Sequence, residues 1–168
     1  MTILIGFMGA GKTTVARLLD TNFIDLDAYI EAQAGRSIPE IFAQEGENAF
    51  RQFETETLSN LTTQNIAVIA TGGGIVESQS ARELLSNVTD VIYLKATFDE
   101  LAHRITSDKK NVRPLAKDGL ESLRARFLNR EPYYDALSNL TVDTTDKTPQ
   151  EIAQEIIRWH SQQKKETS

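Results

Sequence analysis

The chain has 168 residues, 40% of them apolar, which suits one compact domain with a core of its own. Its net charge of −6 argues against broad binding to nucleic acid or to an anionic membrane, since both need a basic surface. There is no cysteine to oxidise and no apolar run of spanning length, so a cytoplasmic location is expected.

Thr2–Ile5 is a short apolar run that meets glycine at once, too brief for a signal peptide, and it reads as a first strand. The next segment, Gly6-Phe-Met-Gly-Ala-Gly11-Lys12-Thr13, fits G-x4-G-K-[ST] without a mismatch, and a helical pattern follows from Thr14 to Leu19. Between a strand and a helix, such a loop curls its backbone N–H groups around phosphates, and the helix N-terminus adds positive potential. Gly9, Ala10, Gly11, Lys12, Thr13 and Thr14 are therefore expected to bind ATP. Lys12 should face the ligand, unpacked, and reach the β- and γ-phosphates; the Thr13 hydroxyl should ligate Mg²⁺. The alternative is a Gly-rich turn that happens to end in Lys-Thr. The motif by itself signals nucleotide binding and does not separate a kinase from a switch GTPase or a motor.

Phe23–Ile24 reads as the second strand, running into Asp25-Leu-Asp27. Alternation along a strand would set both carboxylates on one face. Asp25 then suits the Mg²⁺ shell and Asp27 suits the proton of an attacking hydroxyl, unless both are solvated loop residues. Ser37–Glu40 carries a capping-box signature for a helix start. Arg51 follows in Phe50-Arg-Gln-Phe-Glu54. Ile66–Ala70 reads as the third strand and feeds Gly72-Gly73-Gly74, a turn that either admits a ligand close to the backbone or is merely flexible. Val91–Leu94 is the fourth strand, followed by a second cap signature at Thr97–Glu100. Arg113 lies in Val-Arg-Pro-Leu and Arg130 in Arg-Glu-Pro-Tyr-Tyr; arginine's planar fork suits carboxylates and phosphates. Leu140–Val142 is the fifth strand. Thr148–Glu151 opens a last helix, with Pro149 at its first position. Strands alternating with helices imply a mostly parallel sheet covered on both faces, with ligands at the carboxyl ends of the strands. His103, His160 and Trp159 read as structural residues, and Tyr133 and Tyr134 as pocket edge or core and not catalytic.

The GxxGxGKT loop, the Asp-x-Asp pair, Phe-Arg-x-x-Glu, the triple-glycine turn, Arg-Pro-Leu and the late Arg-x-Pro-x-Tyr together resemble shikimate kinase over nearly the whole chain. This is a small family of the nucleoside-monophosphate-kinase-like P-loop group. The resemblance implies a three-layer α/β sandwich of P-loop NTPase type with a five-stranded parallel sheet. It also implies one kinase domain over 1–168 with a mobile lid at about 107–117, and transfer of the γ-phosphate of ATP to the 3-hydroxyl of shikimate with Mg²⁺. By resemblance, Asp27, Arg51, Gly73, Gly74 and Arg130 hold shikimate and Glu54 braces that pocket. Arg113 would touch both phosphates and substrate, and with Lys12 and Asp27 would form the catalytic set. Arg104, Asp143 and Pro149 would lie near adenine. Shikimate and ATP are the expected partners, without nucleic acid or membrane, and the chain is expected to be a monomer. Shikimate's carboxylate suits an Arg51/Arg130 clamp, and Phe42 and Phe50 are candidates to wall its ring. The rivals are a gluconate or nucleoside-monophosphate kinase, and a nucleotide switch, which would leave the arginines without a purpose.

One feature departs from the family. The chain from Lys12 to Asp25 is about four residues short, close to one helical turn, or about 6 Å of rise and 40° of net rotation. The first helix is therefore expected to end early, near Leu19, with Asp25 and Asp27 still reaching the site. The alternative is that Asp20–Asn22 absorbs the loss and the second strand shifts.

Overall fold

The computed structural model describes residues 1–107 and 115–167. Five strands, β1 (Thr2–Ile5), β2 (Ile24–Asp25), β3 (Val68–Ala70), β4 (Val91–Lys95) and β5 (Leu140–Asp143), form one sheet in the order β2-β3-β1-β4-β5. Every pairing is parallel. β1 lies at the centre and is buried along its whole length, as its unbroken apolar run requires in a sheet covered on both faces. Leu4 sits in register with Ala70 on one side and Ile92 on the other. The Thr71 hydroxyl donates to the Leu4 carbonyl (2.9 Å), tying the end of β3 to the end of β1. The carboxyl ends of three adjacent strands, β2, β3 and β1, therefore open side by side.

The helices cover this sheet: α1 (Lys12–Leu19), α2 (Leu26–Ala34), α3 (Ile38–Glu45), α4 (Glu47–Thr62), α5 (Gln79–Ser86), α6 (Phe98–Ser107), α7 (Leu115–Leu137) and α8 (Pro149–Glu166). Both flanking capping boxes form in full. Ser37 and Glu40 close the start of α3, and Thr148 and Glu151 that of α8, with a proline in each first turn. At α6 only half of the expected box forms. The Glu100 N–H reaches the Thr97 hydroxyl (3.3 Å), while the Glu100 carboxylate accepts from Arg104 Nε (3.0 Å). α7 is broken at Gly119 (φ 66°) and carries Pro132 in its interior.

Leu4, Ile5, Ile69 and Ile92 of the sheet, Val15 of α1, Leu26 and Ile30 of α2, Leu58 of α4 and Ile156 of α8 are fully or almost fully buried. Tyr134 is completely buried against Tyr93, with ring centroids 5.1 Å apart. Among the described residues no helix is long and apolar enough to cross a membrane.

Two local expectations need correction. β2 is Ile24–Asp25, not Phe23–Ile24, and α2 begins at Leu26. Asp27 is thus in the first turn of a helix, so strand alternation is not what aims it. The triple glycine is also no loose turn: Gly73–Glu77 closes into a 3₁₀ helix, which leads Glu77 back toward the site.

Candidate active site

The phosphate loop runs from the end of β1 into α1. Gly11, the residue before the helix, has φ 89°, a left-handed geometry that a side chain resists. Lys12 is buried, against expectation: its ammonium donates to the carbonyls of Gly6 (2.6 Å) and Phe7 (3.0 Å) inside its own loop. An open cleft of about 430 Å³ runs over this loop, lined by Gly9, Gly11, Lys12, Thr13 and Thr14 and, from the neighbouring strand ends, by Asp25, Asp27, Gly72 and Gly73.

α1 ends at Leu19, and Asp20 is already extended (φ −152°, ψ 126°). This is where the short spacing puts it, and the chain still delivers Asp25 to the loop. The Thr13 hydroxyl donates to Asp25 Oδ2 (2.7 Å), while Asp25 Oδ1 accepts from the Ala28 N–H (3.1 Å) and caps α2. Asp27 lies against the glycine turn: a Cβ added to Gly72 would sit 2.6 Å from Asp27 Oδ1. Both carboxylates border the same cleft.

Away from the cleft, the turn after β3 is closely packed. A Cβ on Gly73 would lie 3.3 Å from the Met8 nitrogen and 3.5 Å from Arg130 Nη1. One on Gly74 would collide with the Arg51 guanidinium, so only glycine lets that group lie flat against the backbone. The Tyr134 hydroxyl, one helical turn beyond Arg130, donates to the Gly73 carbonyl, and burial pushes its ionisation upward.

Arg51 and Arg130 do come together, and they arrive with carboxylates. Arg51 Nη1 meets Glu54 Oε1 at 2.8 Å, and Arg51 Nη2 lies 3.6 Å from Glu47 and 3.5 Å from Glu77 Oε2. Arg130 Nε donates to the other oxygen of Glu77 (3.0 Å). Glu54 is 1% exposed. Burial pushes its ionisation up to about 7 although Arg51 pulls the other way, and nearby Asp27 adds a further upward push. Arg51 Nε and Glu54 Oε2 are buried without a hydrogen-bond partner. For Glu77, burial works upward, but the hydrogen bond and charge of Arg130 and the charge of Arg51 outweigh it and hold the carboxyl below its usual range. Phe50 is 2% exposed and stacks on Phe42 with centroids 4.9 Å apart, so it serves the core first.

Arg104 links the phosphate loop to the segment after β5, donating to the Thr144 hydroxyl (3.1 Å) and reaching the Gly9 carbonyl (3.5 Å). Asp143 accepts from the Thr145 N–H (2.9 Å), which lowers its pKa. Pro149 opens α8 beyond that segment. Arg113 and the lid expected at about 107–117 fall outside the described residues except at their edges. Glu77, the carboxylate partner of both arginines, is the neighbour that sequence reasoning passed over, and the Tyr134 hydroxyl and Thr144 give specific contacts to a pocket edge and a loop it had marked only in general. The one available signal was that Glu77 lies three residues beyond the glycine turn. His160 proves structural, as expected, bonding Asp90 (3.0 Å) at the opposite end of the sheet.

The family pattern described as shikimate kinase matches residues 8–161. A shikimate kinase of Streptococcus gordonii is 48% identical over 93% of this chain and 97% of its own length. One from Enterococcus faecalis is 44% identical over 93% and 95%. The structure of an Acinetobacter baumannii shikimate kinase in complex with shikimate superposes with a TM-score of 0.87 at 36% identity, covering 97% of this chain and 93% of the other. A Sinorhizobium meliloti gluconokinase shares the fold alone, at 16% identity and a TM-score of 0.63. The chain belongs to the shikimate kinase family.

Proposed function

We propose that the chain transfers the γ-phosphoryl group of ATP to the 3-hydroxyl of shikimate. The observation that carries this reading is one of placement. A phosphate loop, two carboxylates and a pair of arginines, Arg130 buried and Arg51 half-buried, meet near the adjacent carboxyl ends of β1, β2 and β3. A nucleotide switch would have no use for the arginine pair, and the A. baumannii relative is described with shikimate bound.

Phosphoryl transfer asks a protein chiefly for positioning and for cancellation of charge. N–H groups from Gly9 to Thr14 cradle the phosphates, and Lys12 turns from its two carbonyls toward the β- and γ-oxygens. Arg104 holds the base side with Thr144. Arg51 and Arg130 grip the acid, with Gly73 giving it bare backbone at the cleft and Gly74 making room for the Arg51 guanidinium. Asp27 takes the proton of the attacking hydroxyl. Arg113 is assigned to the transferring group by family resemblance.

The residues present fit Mg²⁺. Thr13 Oγ1 and Asp25 Oδ2 pair oxygen donors 2.7 Å apart beside the loop. Among the described residues no group of three or more His, Cys, Asp or Glu side chains is placed to hold a metal ion. When bound there, it would neutralise charge on the β- and γ-oxygens.

A coupled assay of ADP release tests the reading. Shikimate should stimulate ATP consumption strongly, while gluconate and nucleoside monophosphates should not. Equal stimulation by gluconate would overturn the substrate assignment.

A further inference from the structure

The acid-binding arginines are already occupied. One carboxylate, Glu77, bridges both guanidinium groups, placing Oε1 on Arg130 Nε (3.0 Å) and Oε2 beside Arg51 Nη2 (3.5 Å). A carboxylate ligand gripped by these two arginines would use the same kind of bridge. The surrounding carboxylates differ in freedom. Glu54 is 1% exposed and fixed against Arg51, whereas the Glu77 side chain is 33% exposed and sits at the last residue of its 3₁₀ helix. Glu77 and Arg51 themselves border a groove of about 670 Å³, whose other walls include Gln52, Thr55, Ser78 and the carboxylates Glu47 and Glu56. Its serine end is the start of α5, where Ser78 is the cap residue and the helix N-terminus favours negative charge.

We infer that Glu77 is a built-in competitor for the acid substrate: its carboxylate holds Arg51 and Arg130 in the empty enzyme, and substrate binding must part it from them. This rests on the reading of the two arginines as the acid clamp. Three things follow. The arginines stay neutralised and ordered without ligand. Substrate affinity is lowered by the work of parting Glu77 from them. Only a ligand that itself bridges both guanidiniums repays that work, so neutral polyols are turned away.

The test is Glu77→Gln, which keeps size and one acceptor oxygen and removes the charge. Glu77 is partly exposed, so its ion pairs are worth about as much as a strong surface pair, and KM for shikimate should fall about fivefold. kcat and KM for ATP should hold steady, which also reports that the variant folds. The gain should disappear when the methyl ester of shikimate is the competing ligand, since it has no carboxylate to share the arginines. Arg130→Lys, measured alongside, should raise KM for shikimate. An unchanged or raised shikimate KM in Glu77→Gln, with Arg130→Lys still raising it, overturns the competitor and leaves the clamp standing. No effect of Arg130→Lys on shikimate overturns the clamp itself.

Discussion

Asp27 and Glu54 show how one small site gives two carboxyl groups different work. Asp27 faces the cleft, where it can receive a proton; Glu54 is sealed behind Arg51. Asp27→Asn should keep nucleotide affinity and lower kcat by about 10²- to 10⁴-fold, because an amide cannot accept the proton. Turnover near wild type would reduce Asp27 to a substrate contact. Glu54 yields a stability prediction. Its ionisation in the fold lies near 7, above the ordinary 4.5. A raised value means that the protonated form is the one the fold favours. The favourable contribution is therefore complete below about pH 4.5 and is lost as pH climbs through 7, by an amount on the order of 3 kcal/mol. Glu54→Gln cannot ionise. Its stability relative to wild type, followed by denaturant unfolding, should rise between pH 5 and pH 8, and a flat difference would mean that Arg51 fully compensates the buried charge.

At the scale of elements, the first helix decides whether Asp25 can serve. A chain one turn short at α1 keeps nearly the same face toward the core, and Asp25 arrives 2.7 Å from the Thr13 hydroxyl. Asp25→Asn separates its two roles. Asparagine caps a helix about as well as aspartate, so α2 and the melting temperature should be preserved. As a weaker ligand for a hard cation, it should raise the free Mg²⁺ needed for half-maximal rate roughly tenfold. An unaltered Mg²⁺ requirement would confine Asp25 to capping. This element was legible in advance because its signals are local: a glycine loop, a helical run, a spacing. The same holds for the capping boxes of α3 and α8. What escaped was long-range. Glu77 reaches Arg130 across 53 residues, and its nearness to the glycine turn is the one local sign of that partnership. Asp27 was given the correct cleft for an incorrect reason, since a two-residue strand hands over to α2 before alternation can act. The buried ammonium of Lys12 escaped too, because its acceptors are backbone carbonyls, which every sequence has.

For the molecule as a whole, the two subsites as proposed would make each ligand a brace on different elements. Nucleotide would join the β1 loop, α1, α6 and the segment after β5. The acid would join α4, the glycine turn and α7. A ligand bound only by the folded state at about 100 times its Kd adds about 2.7 kcal/mol. For a chain of this size that moves the melting temperature upward by roughly 5–10 °C. Shikimate alone and ATP alone should each give such a rise. Lys12→Ala should cancel the rise with ATP and keep the rise with shikimate, and Arg130→Lys should do the reverse. Lys12→Ala also leaves the Gly6 and Phe7 carbonyls without their ammonium donor, so its ligand-free melting temperature should drop. The informative quantity is therefore the change on adding ligand, measured for each variant against itself. If either substitution cancels both rises, the two ligands do not stabilise separate walls, and the division of the cleft into a loop side and an arginine side fails.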